Sequence, residues 1–200
     1  MNSGNFTHKA QESLFQSQNL AQERGQQQVD ALHLLFSLLS QEESVVLTLL
    51  QKIGADIDGL KRKAETALER LPVVASVNPL GQFYLTQDLA KVLERARQES
   101  SKMGDEYVSV EHLFLALLDT NSKAKETIER TSFLKSSVGG QDVEFGRLDY
   151  ETALKILAQI RGGVRITDPT PESKYQVVEK YARNLTRLAR QGKLDPVIGR

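Results

Sequence analysis

Two histidines, His33 and His112, attract attention first because they lie 79 positions apart and each precedes a leucine-rich run. A histidine pair brought together by a symmetric fold could bind a metal ion. However, neither residue has a carboxylate or thiol at ligand spacing. We therefore favour a structural role, in which each imidazole lies at a helix start and hydrogen-bonds a neighbouring backbone group. We expect no metal site.

Two acids, Asp105 and Glu111, flank the start of one predicted helix. As a catalytic pair they would need a pocket or a base, and the sequence shows neither. As a cap and a first-turn acid they would suit the helix dipole. Exposed beside Tyr107, they could instead hold a cationic and apolar peptide. The residues alone favour capping, with peptide binding as the alternative.

The common enzyme motifs are absent from the 200 residues. Gly192-Lys193 is followed by Leu194, so the Ser or Thr of a Walker A loop is missing. HExxH, GxSxG and EF-hand patterns do not occur either. Because there is no cysteine, a thiolate nucleophile and a Cys-based zinc site are excluded. We expect a chain that is not an enzyme and holds no cofactor.

The composition suits a folded domain, since 40% of the residues are hydrophobic. A formal net charge of zero gives no support for binding nucleic acid or a membrane surface. The polar N-terminus lacks the apolar region of a signal peptide, so we expect a cytoplasmic protein. The charge is uneven, however, because residues 161–200 carry nine basic and four acidic residues.

An internal repeat organises the first 161 residues. A shift of 79 residues aligns eight identical pairs over positions 7–39, where chance would give roughly two. The pairs are Thr7/Thr86, Leu14/Leu93, Gly25/Gly104, Val29/Val108, His33/His112, Leu34/Leu113, Leu38/Leu117 and Leu39/Leu118. The apolar residues follow helical spacing in both copies.

Each repeat is predicted to form four helices, which begin at capping side chains and often end at glycine. The predicted helices of the first repeat run from Thr7 to Arg24, over Ala31–Ser40, over Ser44–Ile53, and from Asp56 or Asp58 to before Pro72. Those of the second repeat run from Thr86 to Gly104, from Ser109 onward, over Ser122–Thr131, and over Tyr150–Ile160. No strand is predicted, and residues 133–147 are predicted to form an exposed loop.

The fold class is therefore predicted as all-α. Two four-helix repeats, at about 5–72 and 84–161, pack around a pseudo-twofold axis into one domain of residues 1–161, with a groove at their seam. Prolines predict a flexible linker over 162–172. A basic helix is predicted to begin at Ser173 or Glu172 and to end near Arg190, within a last segment of residues 173–200.

These residues resemble a known family. Two copies of T-x6-L-x10-G-x3-V-x3-H-L-x3-LL look like the Clp amino-terminal repeat. The run from RGGVRITDPTPESKYQ to LDPVIGR is similar to the passage from that domain into the first ATPase module of ClpB-type AAA+ disaggregases. Because LDPVIGR is shared with ClpA and ClpC, an adaptor-docking domain of a protease unfoldase is the alternative.

The resemblance implies a monomeric, non-catalytic domain that captures unfolded or aggregated polypeptide for a hexameric ATPase ring. For the full-length protein it implies ATP and Mg²⁺ in the ATPase modules and cooperation with an Hsp70-type chaperone. Substrate handling is implied for Thr7, Asp105 and Glu111, which shifts our interpretation of the two acids towards binding.

The resemblance also implies an apolar groove at Leu93, Ala96, Tyr107 and Val108, and the start of an adenine pocket at Val197, Ile198 and Gly199. This chain departs from the family pattern by being more polar at Arg95, Glu99 and His112. It also has Leu32 where the second repeat has Glu111, and its loop at 133–147 is longer than usual.

Overall fold

The computed structural model of the protein describes residues 5–73, 84–131, 136–138, 141–143 and 148–171, and helices make up most of these described residues. The helices of these ranges are α1 (His8–Glu23), α2 (Ala31–Ser40), α3 (Val45–Ile53), α4 (Ile57–Glu69), α5 (Gln87–Met103), α6 (Val110–Asp119), α7 (Lys123–Glu129) and α8 (Tyr150–Arg161). The all-α prediction is confirmed, and the eight helices predicted for the two repeats are found in their predicted order.

The predicted caps explain where the helices begin. Thr7 and Thr86 accept hydrogen bonds from the N–H groups of Ala10 and Leu89, at equivalent positions of the two repeats. Asp56, rather than Asp58, caps α4. Glycines end α3, α5 and α8 in the left-handed conformation, which glycine adopts without steric cost.

Two very short strands correct the prediction that the chain has none. β1 (Gln28–Val29) lies in repeat one and pairs in parallel with β2 (Tyr84–Leu85), which precedes the first helix of repeat two. The reciprocal bridge joins Phe6 to Val108. Each repeat thus pairs the segment before its first helix with the other repeat, as a pseudo-twofold arrangement requires. Pairing between positions so distant in sequence leaves no local periodicity to detect.

A second correction concerns the predicted loop over residues 133–147. Part of it forms an antiparallel pair of strands, β3 (Ser136–Val138) and β4 (Gln141–Val143), in which Ser137 lies opposite Asp142. Only six residues are involved. This pair of strands has no counterpart among the described residues of the first repeat.

Helices α2 and α6 form the centre of the core. Eight of the ten residues of α2 and nine of the ten residues of α6 are buried. The contacts between helices are symmetric, because α1 packs on α6 as α5 packs on α2, and α3 packs on α6 as α7 packs on α2. The helices around this pair therefore need only one apolar face, and each half completes the core of the other.

Residues 162–171, predicted as a flexible linker, lie against the domain. The Ile166 side chain is fully buried, and its carbonyl accepts a hydrogen bond from the Glu106 N–H at 2.9 Å. The Pro169 carbonyl accepts one from the His8 N–H at 2.8 Å. The segment that follows α8 is therefore hydrogen-bonded to the start of α1. The predicted basic helix and residues 197–199 lie outside the described residues.

Candidate functional site

An open groove lies between the two repeats, bounded by α1, β1, β2 and α5, and it encloses about 690 Å³. Most of its lining is apolar: Phe6, Leu14, Phe15, Val29, Leu85, Leu89 and Leu93. The polar side chains of its lining are Gln11, Ser17, Gln18 and Arg97. We call these eleven residues the inter-repeat groove. The sequence predicts a groove at this seam.

Phe15 is the most exposed aromatic side chain of the inter-repeat groove, with 63% of its surface accessible. It lies beside Leu14 on α1 but outside the apolar face that the helical spacing predicts. Analysis of that spacing therefore overlooked it. A large apolar residue on the polar side of an amphipathic helix is the sequence signal that could have identified it.

One of the four predicted groove residues lines the inter-repeat groove, and the other three do not. Leu93 lines the inter-repeat groove, whereas Ala96 and Val108 are buried in the core beside it. Tyr107 is half-buried and is not among the lining residues. Val108 still shapes the groove, because its backbone pairs with Phe6 and accepts a hydrogen bond from the Thr7 N–H at 2.9 Å.

The inter-repeat groove carries a positive charge, whereas the sequence suggests acidic residues beside a bound peptide. Asp105 and Glu111 are 9% and 1% exposed, so neither forms an acidic rim. Among the described residues of the lining, Arg97 carries the one formal charge. Its guanidinium carbon lies 5.8 Å from the centre of the Phe6 ring, within the range of a cation–π contact.

Both candidate histidines complete helix caps, which confirms their predicted structural role. Nδ1 of His33 accepts a hydrogen bond from the Asp30 N–H at 2.9 Å, and Nδ1 of His112 accepts one from the Ser109 N–H at 3.0 Å. Each histidine thus occupies the third helical position of a capping box, where glutamate or glutamine is more common. Within the described ranges, no group of three or more acidic or histidine side chains could hold a metal ion.

Asp105 is the centre of a buried polar cluster. Its Oδ1 accepts hydrogen bonds from Nη2 of Arg161 at 2.7 Å and from the Ile166 N–H at 2.8 Å. Its Oδ2 lies 3.0 Å from Nε2 of His112. Burial acts to raise the pKa of this carboxyl, but the hydrogen bonds from His112, Ile166 and Arg161 hold it below its ordinary value. Asp105 therefore holds residues 161–166 against the domain as a carboxylate.

The other two predicted substrate-handling residues, Thr7 and Glu111, are also buried. Thr7 is fully buried, and its hydroxyl caps α1. Glu111 lies in the first turn of α6, and neither of its carboxylate oxygens has a hydrogen-bond partner among the described residues. Its equivalent in repeat one, Leu32, is likewise fully buried. Thr7 and Asp105 therefore support the segments beside the groove without lining it.

A second buried carboxylate, Glu99, joins α5 to α8. The Tyr150 hydroxyl donates to its Oε2 at 2.6 Å, and the nitrogens of Arg95 and Lys102 both lie 3.0 Å from its Oε1. Burial acts to raise the pKa of Glu99, but these partners hold it below its ordinary value. Burial and the bond to Glu99 raise the pKa of Tyr150 to about 12. The polar residues Arg95 and Glu99 thus join helices and do not line the groove.

None of the helices in the described part of the chain combines the length and the apolar character needed to span a membrane.

Comparison with known proteins agrees with this architecture. The chain is 35% identical over 201 residues to the chaperone protein ClpB of Bacillus cereus, covering 100% of this chain and 22% of that protein. It is 36% identical over 201 residues to ClpB of Nitratidesulfovibrio vulgaris, again with 100% and 22% coverage. The chain thus spans about a fifth of the length of these curated relatives.

Solved structures share the fold. The N-terminal domain of Hsp104 from Candida albicans superposes with a TM-score of 0.68 at 20% identity, covering 84% of this chain and 99% of that chain. The N-terminal domain of the ClpV1 ATPase from E. coli gives a TM-score of 0.60 at 20% identity, with 84% and 91% coverage.

A family model described as the Clp repeat (R) N-terminal domain matches residues 5–131. These residues include α1 to α7 and every residue of the inter-repeat groove. The resemblance read from the sequence is therefore confirmed, and the chain belongs to the Clp repeat (R) N-terminal domain family.

Proposed function

We propose that this domain binds exposed apolar segments of unfolded or aggregated polypeptide in the inter-repeat groove and presents them to an ATP-driven ring. The observation that carries the proposal is the apolar lining of an open groove, with Phe15 63% exposed and Leu85 36% exposed. An apolar surface that stays in contact with water favours association with other apolar groups.

The shape of the groove suits weak and varied binding. A volume of about 690 Å³ accepts a few side chains of a polypeptide, but the site is open to solvent and offers few polar groups to select among sequences. Specificity is therefore low, which suits a site that meets many unrelated segments. Weak binding also lets a bound segment pass on to the ring. The covalent connection between the domain and the ring keeps that segment nearby at high effective concentration.

The rest of the proposed function concerns the longer protein. The ClpB relatives and the tail of this sequence support ATPase modules beyond residue 200, where ATP and Mg²⁺ would bind. A hexameric ring, cooperation with an Hsp70-type chaperone, a role in the response to stress and a cytoplasmic location belong to the same proposal. The domain itself contributes binding and positioning in this proposal, with the chemistry in the ring.

Titration with a permanently unfolded model protein tests the proposal. We expect saturable binding that Phe15→Asp weakens at least about tenfold, because a charge in the groove loses hydration when an apolar segment covers it. Val73→Asp is a matched control, since Val73 is 64% exposed but does not line the groove. Equal binding by both variants, or equal binding of the folded form of the model protein, would contradict the proposal.

A further inference from the structure

We propose that the inter-repeat groove selects apolar segments that are followed by a carboxylate, through Arg97. This inference rests on the proposed function and adds a charge preference to it. Its occupant is a stretch of unfolded polypeptide with apolar side chains in the groove and an acidic side chain, or a free carboxyl terminus, at the Arg97 end.

The position of Arg97 supports this preference. Its guanidinium lies over the ring of Phe6, which is itself part of the groove lining, so the charge lies beside the apolar surface. Half of the Arg97 side chain is accessible, so a ligand can reach it. Arginine is well suited to this task because its planar fork can donate two parallel hydrogen bonds to one carboxylate.

The neighbours of Arg97 leave its guanidinium available to a ligand carboxylate. Its ion-pair partner is Glu94, at 3.7 Å, with side chains that are 50% and 63% exposed, and such pairs contribute little free energy. A ligand carboxylate can therefore compete with Glu94 for the guanidinium. The other polar lining residues, Gln11, Ser17 and Gln18, are neutral, so the lining carries a single positive charge among the described residues.

The buried acids strengthen the argument. Acidic residues at the edge of the groove would favour cationic segments. The carboxylate of Asp105, however, contacts Arg161, His112 and the Ile166 N–H. Glu111 is 1% exposed. Neither acid lines the groove, so neither offsets the charge of Arg97 there.

Matched short peptides test the inference on the whole 200-residue chain. Three peptides share one apolar run of Phe, Leu and Val and an amidated end, and they continue with two Glu, two Gln or two Lys. A fourth carries the two Gln and a free carboxyl terminus, which separates a terminal carboxylate from a side-chain one. We expect the Glu peptide to bind roughly two- to fivefold more tightly than the Gln peptide, and the Lys peptide more weakly. The advantage should shrink as salt is added.

Charge reversal identifies the residue responsible. Arg97→Glu should invert the order of the Glu and Lys peptides. Lys91→Glu makes the same change in charge at an exposed position of α5 outside the groove, and it should preserve the order. Preservation of the order in Arg97→Glu, or its inversion in both variants, would overturn the inference. Equal binding of all peptides would also overturn it while leaving the proposed function intact, whereas no binding by any apolar peptide or unfolded protein would refute both.

Discussion

Nε2 of His112 lies 3.0 Å from Oδ2 of Asp105, and the equivalent contact in the first repeat joins Nε2 of His33 to Oε1 of Gln26 at 2.7 Å. The shift of 79 residues that aligns the histidines also aligns Gln26 with Asp105. The two repeats therefore share one cap geometry, but the first uses a neutral amide and the second a carboxylate. Because of that charge, the second repeat binds Arg161 and, through the Ile166 N–H, the segment that follows α8.

Asp105→Asn should destabilise the domain by about 3 kcal/mol, because it removes the buried carboxylate charge that pairs with the guanidinium of Arg161, which is 8% exposed. Chemical denaturation measures this loss in the free energy of unfolding. The Ile166 amide should also exchange its hydrogen faster, since Oδ1 of Asp105 is its acceptor.

Asp119→Asn is the control for that change. The Asp119 carboxylate pairs with Nε of Arg95 at 2.6 Å but is 40% exposed, so its removal should cost below about 1 kcal/mol. Equal losses of stability in the two variants would show that the buried cluster around Asp105 does not hold the domain and its following segment together.

Stability should depend on pH through His33. Burial lowers the pKa of His33 from 6.5 to about 4, so the unfolded chain binds a proton more readily than the folded one between these values. The contribution of the neutral imidazole is therefore complete above pH 6.5 and is lost as the pH falls towards 4. The loss should reach about 3 kcal/mol.

Unfolding free energies measured at several pH values for the original chain and for His33→Gln isolate this effect. Glutamine can accept the Asp30 N–H bond of the capping box but does not titrate. The difference in unfolding free energy between the original chain and the variant should therefore change with pH between 4 and 6.5. Parallel curves for the two proteins would mean that His33 takes up no extra proton on unfolding.

Tyr150→Phe should cost about 2 kcal/mol, because it removes a 2.6 Å hydrogen bond to Glu99 and leaves that buried carboxylate with one donor fewer. Tyr107→Phe should change the unfolding free energy by less than about 0.5 kcal/mol, since the Tyr107 hydroxyl forms no hydrogen bond among the described residues. Thermal denaturation of both variants makes the comparison. A similar, small effect in both would contradict the coupling of α5 to α8 through Glu99.

Glu111→Leu should stabilise the domain, by about 1 kcal/mol or more. The carboxyl group of Glu111 is buried with no hydrogen-bond partner among the described residues, and burial of a polar group without a partner is unfavourable. The first repeat places Leu32 at the same position, which shows that the site accepts an apolar side chain. Removal of a first-turn acid opposes the gain by a smaller amount.

The unfolding midpoint of Glu111→Leu, compared with that of Glu111→Gln, decides this question. An increase with leucine that exceeds the effect of glutamine is expected, because the amide remains a buried polar group. Destabilisation by both substitutions would indicate that the carboxylate contributes to the native state.

The helices could be predicted from the sequence because their determinants are local. Thr7 and Thr86 cap helices at the predicted positions, and Gly54 and Gly104 end helices. The 79-residue repeat also predicted that the two halves complete one core. These features depend on neighbours within a few residues, so their signals survive in the sequence alone.

The candidate site was harder to predict because burial depends on contacts between distant segments. Asp105 and Glu111 looked available for a peptide, but α8 and the segment around Ile166 cover the first, and packing around α6 covers the second. Phe15 was overlooked for the opposite reason, since it lies off the apolar face of α1. Comparison of Gln26 with Asp105 across the repeat would have marked Asp105 as a position with an added charge.

The central claim is that unfolded polypeptide binds in the inter-repeat groove, and mapping of backbone amide chemical shifts tests it most directly. On titration with a permanently unfolded protein, the account predicts that the largest shifts lie at Leu14, Phe15, Leu85 and Leu93, and that Val73 and α4 stay unchanged. Shifts centred on the surface near Leu154 and Val164, with the groove unchanged, would contradict it.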